Sequence, residues 1–207
     1  MHSSVRSLLV LFLGSFAAAA AAPGSRERER IRRRDGGRSD LTCSAASFRA
    51  LSWTAENFYF HSDITYSTPA HQIDDGEVSF NLSNAALSYV MDCSAMSFQL
   101  EDFFYGDQWY PCKPSNEADP NGSGVAAFRY DRRSGRIDIN QTWACNDGDP
   151  RYPVYLNASG TTNVTLTCNH TTWQNQNWTM GQTYSTDTVD CVPANVTIMP
   201  ANIMAWS

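Results

Sequence analysis

Every second residue of the run Gly76–Ser83 is apolar. Val78, Phe80 and Leu82 fall on one side of an extended chain and Glu77, Ser79 and Asn81 on the other, which is the two-residue period of a strand with one buried face. The pattern recurs along the chain. Leu87, Tyr89, Met91 and Cys93 share a face, as do Ala126, Phe128 and Tyr130, then Ile137, Ile139, Gln141 and Trp143, then Val164, Leu166 and Cys168, and Val196 with Ile198. Short alternating runs broken by Gly, Pro, Asn and Asp are the pattern of a sandwich or barrel, and helical periodicity is hard to find. The sequence therefore predicts an all-β fold, a compact antiparallel β-barrel or sandwich.

Two local signals refine that picture. Between Leu51, Trp53 and Ala55 on one side and Phe58 and Phe60 on the other, the parity of the apolar residues changes, which predicts a β-bulge near Glu56 and Asn57. Asp131–Gly135, DRRSG, has an aspartate to open a turn and a glycine to close it in the left-handed region, so it predicts a hairpin. The stretch Lys113–Gly124, KPSNEADPNGSG, reads as a surface loop.

The N-terminus carries Arg6, an apolar run and a tail of small residues, the order of a secretory leader. Its apolar stretch, Leu8–Ala22, has 15 residues, short of the roughly 20 that span a bilayer. We read residues 1–21 as a signal peptide cut after Ala20 or Ala21, because Pro23 disfavours a cut just before it. Residues 22–40 form a basic, disordered propeptide or spacer with seven arginines between Arg26 and Arg38, and Arg32, Arg33 and Arg34 resemble a site for processing proteases. The C-terminus lacks the hydrophobic tail of a lipid anchor, so the expected product is extracellular and not attached to a membrane.

Residues 41–207 then form a single disulfide-bonded β domain. From Leu41 onward seven basic residues face 17 acidic ones, a net charge of −10. Such a surface does not attract a phosphate backbone, and no nucleic acid is expected as a partner.

All six cysteines, Cys43, Cys93, Cys112, Cys145, Cys168 and Cys191, follow the leader. An even number in a secreted chain implies disulfides, while spacing alone leaves their pairing open. The absence of any Cys-x-x-Cys argues against structural zinc. Acceptors for N-glycosylation occur at Asn81, Asn121, Asn140, Asn157, Asn163, Asn169, Asn177 and Asn195. Four of these, Asn81, Asn140, Asn163 and Asn195, fall on the polar face of their proposed strands, where a glycan has to be.

Chemical motifs are sparse. The sequence holds no Gly-x-Ser-x-Gly elbow, no phosphate-binding glycine loop and no His-Glu-x-x-His, so the expectation is a protein with no catalytic residues, metal or cofactor. His61 and His71 are the candidates to join Asp63, Asp74, Asp75 or Glu77 in an acid–base or metal site. His170 lies within an acceptor sequence and is expected on the surface. Glu101 with Asp102, and Asp147 with Asp149, are the candidate carboxylate pairs for glycoside hydrolysis. Phe58, Phe60, Phe103 and Phe104 are assigned to the core, whereas Trp173 and Trp178, set in the polar stretch TTWQNQNWT, are the candidate binding residues.

Asn84–Ala95 (NAALSYVMDCSA), Trp109–Cys112 (WYPC) and Phe128–Ile139 (FRYDRRSGRIDI), in that order and preceded by Ala55–Tyr59 (AENFY), resemble the fungal secreted family typified by the Alternaria major allergen. The resemblance covers roughly residues 52–143. It implies a compact β-barrel, secretion by a fungus, no known catalytic machinery, and roles in allergenicity, elicitation of host defence, or contact with plant proteins and small phenolic ligands. It further implies pairing of Cys93 with Cys112, and of Cys168 with Cys191. The type member uses an N-terminal cysteine to join two chains. Here Cys145 gives Cys43 an intrachain alternative, so the product is expected as monomer or dimer.

The function expected from the sequence is thus that of a secreted allergen- or effector-like protein that binds a host protein or small ligand without catalysis. The alternative is a carbohydrate-binding or carbohydrate-cleaving cell-wall protein. A cell-surface protein whose glycans are its purpose is a third reading.

Overall fold

Sixteen residues, Trp53–Thr68, form one strand, β1, long enough to serve three partners. In the computed structural model, which describes residues 41–115, 124–149 and 151–207, β1 pairs along its length with β2 (His71–Asn84). On its other edge it pairs first with β10 (Ala194–Ile198), through Trp53 to Phe58, and then with β9 (Ser185–Cys191), through His61 to Tyr66. The changeover sits at the bulge. Register shifts between Glu56 and Tyr59, and Asn57 takes φ +55°, a left-handed conformation that asparagine tolerates better than most residues.

The remaining strands are β3 (Val90–Ser97), β4 (Tyr110–Pro114), β5 (Val125–Asp131), β6 (Arg136–Cys145), β7 (Val154–Asn163), β8 (Cys168–Gln174) and β11 (Pro200–Trp206). They join one antiparallel sheet in the order β11-β7-β6-β5-β4-β3-β2-β1-β9-β8, with β10 attached to β1. The sheet is not closed on itself. The C-terminal segment spans the opening: β10 lies on β1, and one residue later β11 begins and lies on β7. At that crossing a Cβ on Gly160 would stand 2.5 Å from the Met199 carbonyl oxygen and 3.0 Å from the Trp53 ring, so the close passage requires glycine. The architecture is all-β, an open antiparallel barrel.

The parity read from the sequence fixes what is inside. Trp53, Phe58, Phe60, Phe128, Ile137 and Trp143 are fully buried, and Phe103 and Phe104 also lie in the core. Phe58 stacks on Phe80 at 5.3 Å between centroids, and Phe80 meets Phe128 edge-on at 4.9 Å. Full burial of each such ring is worth about 1.5–3 kcal/mol, with roughly 0.5–1.5 kcal/mol more for a well-set aromatic pair. Gln141 is the polar exception on the inner face of β6. Its Oε1 accepts from Trp53 Nε1 and from Asn84 Nδ2.

The β5–β6 hairpin has the expected chemistry. Asp131 Oδ1 accepts from the amides of Arg133 and Ser134, and Gly135 has φ +70°. Two features depart from the sequence-based reading. Val164–Thr167 is a connector between β7 and β8 rather than a strand leading into Cys168, because Val164 is tied to the hairpin through its amide and the Gly135 carbonyl. A helix, α1 (Cys43–Arg49), precedes β1; seven residues are too few to display a helical period. Thr42 caps it, and Asp147 clasps its first turn through the Ser44 amide and hydroxyl at 2.9 and 2.6 Å. Burial works against the Asp147 charge, but these bonds outweigh it and hold its carboxyl down to about 2.

The disulfides join Cys43 to Cys145, Cys93 to Cys112 and Cys168 to Cys191, with no free cysteine. Asn81, Asn163, Asn169, Asn177 and Asn195 are exposed, whereas Asn140 and Asn157 are half-buried. The leader, the basic segment, Asn121 and most of the Lys113–Gly124 loop lie outside the described residues.

Candidate binding surface

Beyond the bulge, β1, β9 and β8 continue as a three-stranded wing. Its registers, Ser62 opposite Val189 and Val189 opposite His170, propagate to both ends. Because side chains alternate along each strand, Ser62, Ile64 and Tyr66 share a face with Asp187 and Val189 of β9 and with His170 and Thr172 of β8. This face continues the parity of Phe58 and Phe60, and so it is the inner face of the wing.

Two cavities lie against it. One, of about 170 Å³, is bounded by Ser62, Ile64 and Val189 on the wing and by Phe103 and Arg132 opposite. The other, of about 340 Å³, lies beside Tyr66, Trp173 and Tyr184. Asp187 lines both and is the shared wall of a two-part trough. At this shared wall His170 Nε2 is paired with Asp187 Oδ1, and the Arg132 guanidinium stands 4.5 Å over the Phe60 ring. The trough therefore offers a fixed carboxylate–imidazole pair, a cation and an aromatic end.

The two tryptophans singled out from sequence play different parts. Trp173 is 51% exposed; paired with Thr186, it alternates to the other face of β8 from Thr172 and borders the larger cavity at the free edge of the wing. Trp178 is half-buried, donates its indole N–H to the Gln182 carbonyl at 2.8 Å and packs edge-on against Tyr184. It shapes the β8–β9 loop and thereby holds Tyr184, whereas Trp173 presents a ring to solvent.

The outer face of the wing carries a polar cluster. His61 Nε2 lies 2.9 Å from Asp63 Oδ2, and Thr188 donates to Asp63 Oδ1 at 2.5 Å. His61 Nδ1 is buried without a hydrogen bond, 3.4 Å from Asp190 Oδ1, an oxygen that already accepts from the Tyr59 hydroxyl at 2.6 Å. The approach is an ion-pair contact without hydrogen-bond geometry. Burial lowers the His61 pKa, but Asp63 and Asp190 together prevail and raise it above the usual 6.5. Asp63 is lowered, chiefly by the Thr188 hydroxyl against the opposing effect of burial. Tyr59 is pushed up to about 12 by its hydrogen bond to Asp190, then by burial and neighbouring acids.

Of the other candidates, His71 is not part of this cluster; it bonds Ser67 in the β1–β2 turn. Buried Asp74 accepts from Gln72 and from the Glu101 amide. Glu101 and Asp102 both line the smaller cavity, with Asp102 held by Arg133 at 2.5 Å. Asp147 clasps α1, and Asp149 pairs with Arg151 at 2.8 Å. Ser62 and His170 have Val189 between them, two strand spacings of about 4.8 Å each, so Ser62, His170 and Asp187 do not make a proton relay. Among the described residues no group of three His, Cys, Asp or Glu side chains is arranged to hold a metal, and no helix is long and apolar enough to cross a membrane.

The sequence reading missed Asp187, Thr188 and Asp190. The available signal was the alternation within Thr186–Cys191, TDTVDC, which lays Asp187 and Val189 on one face with Cys191. What it could not supply was the neighbour, β1, more than a hundred residues earlier.

A family model for Alternaria alternata allergen 1 (AltA1) matches residues 55–191, from the third residue of the bulged strand to the last cysteine. No curated protein and no solved structure matches the chain. The match takes in the bulge, the hairpin, two of the three disulfides and the whole wing. The chain belongs to the Alternaria alternata allergen 1 family.

Proposed function

We propose that this protein is secreted, acts as an allergen- or effector-type molecule by binding a host protein or small ligand, and is not an enzyme. Its recognition surface is the inner trough of the β1–β9–β8 wing. The observation that carries this reading is the Asp187 wall shared by the two cavities of the wing. An aromatic end formed by Tyr66 and Tyr184, bordered by Trp173 from the other face of β8, suits a planar ring. The Asp187–His170 pair and Arg132 suit polar substituents on it. Secretion is supported by the leader pattern in the sequence and by six cysteines that are all paired.

The test is tryptophan-fluorescence titration of the purified protein with a flavonol and with cell-wall oligosaccharides. Trp173→Ala and Asp187→Asn should each weaken flavonol binding about tenfold while leaving the unfolding midpoint unchanged. Equal binding by wild type and both variants would move the surface elsewhere. The exposed Trp173 ring also fits a sugar face, which keeps the carbohydrate reading as the second one. Oligosaccharide binding lost in Trp173→Ala would favour it, and hydrolysis of a wall polysaccharide lost in a single carboxylate variant would overturn the non-enzymatic reading.

A further inference from the structure

On the outer face of the sheet, remote in register from the wing, two glycosylation acceptors touch each other. Asn140 on β6 and Asn157 on β7 lie on one face, in adjacent rows of the ladder: Asn140 is opposite Ser159, and Asn157 is opposite Thr142. Asn157 Nδ2 donates to Asn140 Oδ1 at 3.0 Å and to Thr142 Oγ1 at 2.9 Å, with the Gln141 carbonyl at 3.4 Å. The same nitrogen is the atom to which an N-linked sugar would be attached. It has two hydrogens, and three acceptors of β6 converge on them.

Asn140 is in the opposite situation. Its oxygen is occupied by Asn157, which fixes the plane of the amide, and its Nδ2 makes no hydrogen bond among the described residues. Asn140 also lines a cavity of about 320 Å³ with Ser159, Thr161, Asn202 and Trp109. Trp109 is 43% exposed. The Arg129 guanidinium stands 5.0 Å from its ring centroid, and Arg129 is itself held by Asp138 at 2.7 Å. A cation anchored by a carboxylate thus fixes the indole at the border of the cavity. Hydroxyl and amide groups beside an exposed, immobilised indole are the chemistry that receives a pyranose ring.

We propose that Asn140 carries an N-glycan whose first N-acetylhexosamine lies in this cavity against Trp109, and that Asn157 stays unmodified and acts as the positioning residue for the Asn140 amide. The donor is an oligosaccharide linked to a lipid pyrophosphate. Its sugar C1–O bond breaks and the C1–N bond to Asn140 Nδ2 forms, while the displaced amide proton and the lipid pyrophosphate leave. Transfer to Asn157 would replace one of its two N–H groups and leave two of the three β6 acceptors without their donor. Chains modified there lose the β6–β7 clasp, and the folded product is drawn from chains bare at that position.

The inference rests on the secretion reading, and its test separates the two. The full chain is expressed in a eukaryotic secretory host. Glycopeptides are mapped by enzymatic deglycosylation in heavy-oxygen water, which marks each formerly glycosylated asparagine as heavy aspartate. Asn140 is expected to be marked and Asn157 not, with exposed Asn81 and Asn163 as references. A chain bare at every acceptor overturns the secretion reading along with this one. A chain marked at Asn81 and Asn163 but bare at Asn140, or marked at Asn157, overturns this inference alone.

Packing against the indole is tested on the native protein. The Asn140 glycan should be released by the amidase roughly fivefold more slowly than the Asn81 glycan, the effect of a stacking contact. Trp109→Ala should remove the difference, and Trp109→Phe should retain part of it. Release from Asn140 that is as fast as from Asn81 in the wild type, or unaltered in Trp109→Ala, overturns the placement.

Discussion

Gln141 accepts the indole N–H of Trp53 at 2.7 Å in the fully buried interior. The same oxygen accepts from Asn84 at 2.8 Å, so one side chain of β6 satisfies donors from the first residue of β1 and the last residue of β2. Three strands are thereby locked in register where the C-terminal segment crosses the opening of the barrel.

Gln141→Leu should fold less stably because it leaves two buried donors unpaired, at about 1–3 kcal/mol each. Urea unfolding should show a loss of about 2–4 kcal/mol with an unchanged slope. A loss below about 0.5 kcal/mol would mean that water or another acceptor reaches Trp53.

The bond between Cys43 and Cys145 closes a loop with a sequence separation of 102. Chain entropy sets the worth of such a crosslink at roughly 2–5 kcal/mol. The double variant Cys43→Ser/Cys145→Ser should lose that much and release α1, seen as proteolysis at the N-terminal side of β1. Because all six cysteines are paired within the chain, non-reducing electrophoresis of the wild type should show a single-chain band. A band at twice the mass that collapses on reduction would contradict the pairing.

His61 should make stability depend on pH. Its folded pKa is raised by Asp63 and Asp190, which overcome burial, so the cation binds more tightly in the folded state. The contribution is complete below the unfolded value near 6.5 and is lost as pH rises through the higher folded value. Asp63, Asp190, Glu77 and Tyr59 are the titratable groups around it. The ring is partly solvated, so solvent screening keeps the effect to about 1 kcal/mol or less. Melting curves from pH 5 to 9 should show this step in the wild type and lose it in His61→Gln. A step of the same size in the variant would assign it to another group.

Gly160→Ala places a Cβ at 2.5 Å from the Met199 carbonyl oxygen. Since that neighbour is backbone, the β10–β11 crossing has to move, at a cost of about 1–3 kcal/mol. Hydrogen exchange should accelerate in β11 and the last residues of β10, and leave the β2–β3 ladder unaltered. Uniform acceleration across the sheet would instead indicate global destabilisation.

The aromatic core was readable in advance because burial on one face of a strand imposes a two-residue rhythm that survives without knowledge of the neighbour. Val78, Phe80 and Leu82 are buried while Glu77 and Asn81 are exposed. The bulge at Asn57 was readable for the same reason, as a break in that rhythm, and the β5–β6 turn because Asp131 and Gly135 act within their own hairpin. The trough was only partly readable. Trp173 could be marked as exposed from its polar neighbours, but its separation in role from Trp178 depends on the Gln182 carbonyl and on Tyr184, whose positions follow from the loop geometry.

By itself, then, the sequence determined the β class, the inward and outward residues of most strands, the bulge, the hairpin and the acidic surface, all of which follow from composition and local periodicity. The tertiary structure decided which strands are neighbours. It alone set His61 beside Asp190, His170 against Asp187 on the opposite face of the same wing, Gln141 beneath Trp53, and Asn157 against Asn140. Each of these contacts joins separate strands, and side-chain chemistry can specify what an amide, imidazole or carboxylate will accept as a partner but not which strand the chain's topology brings within hydrogen-bonding distance.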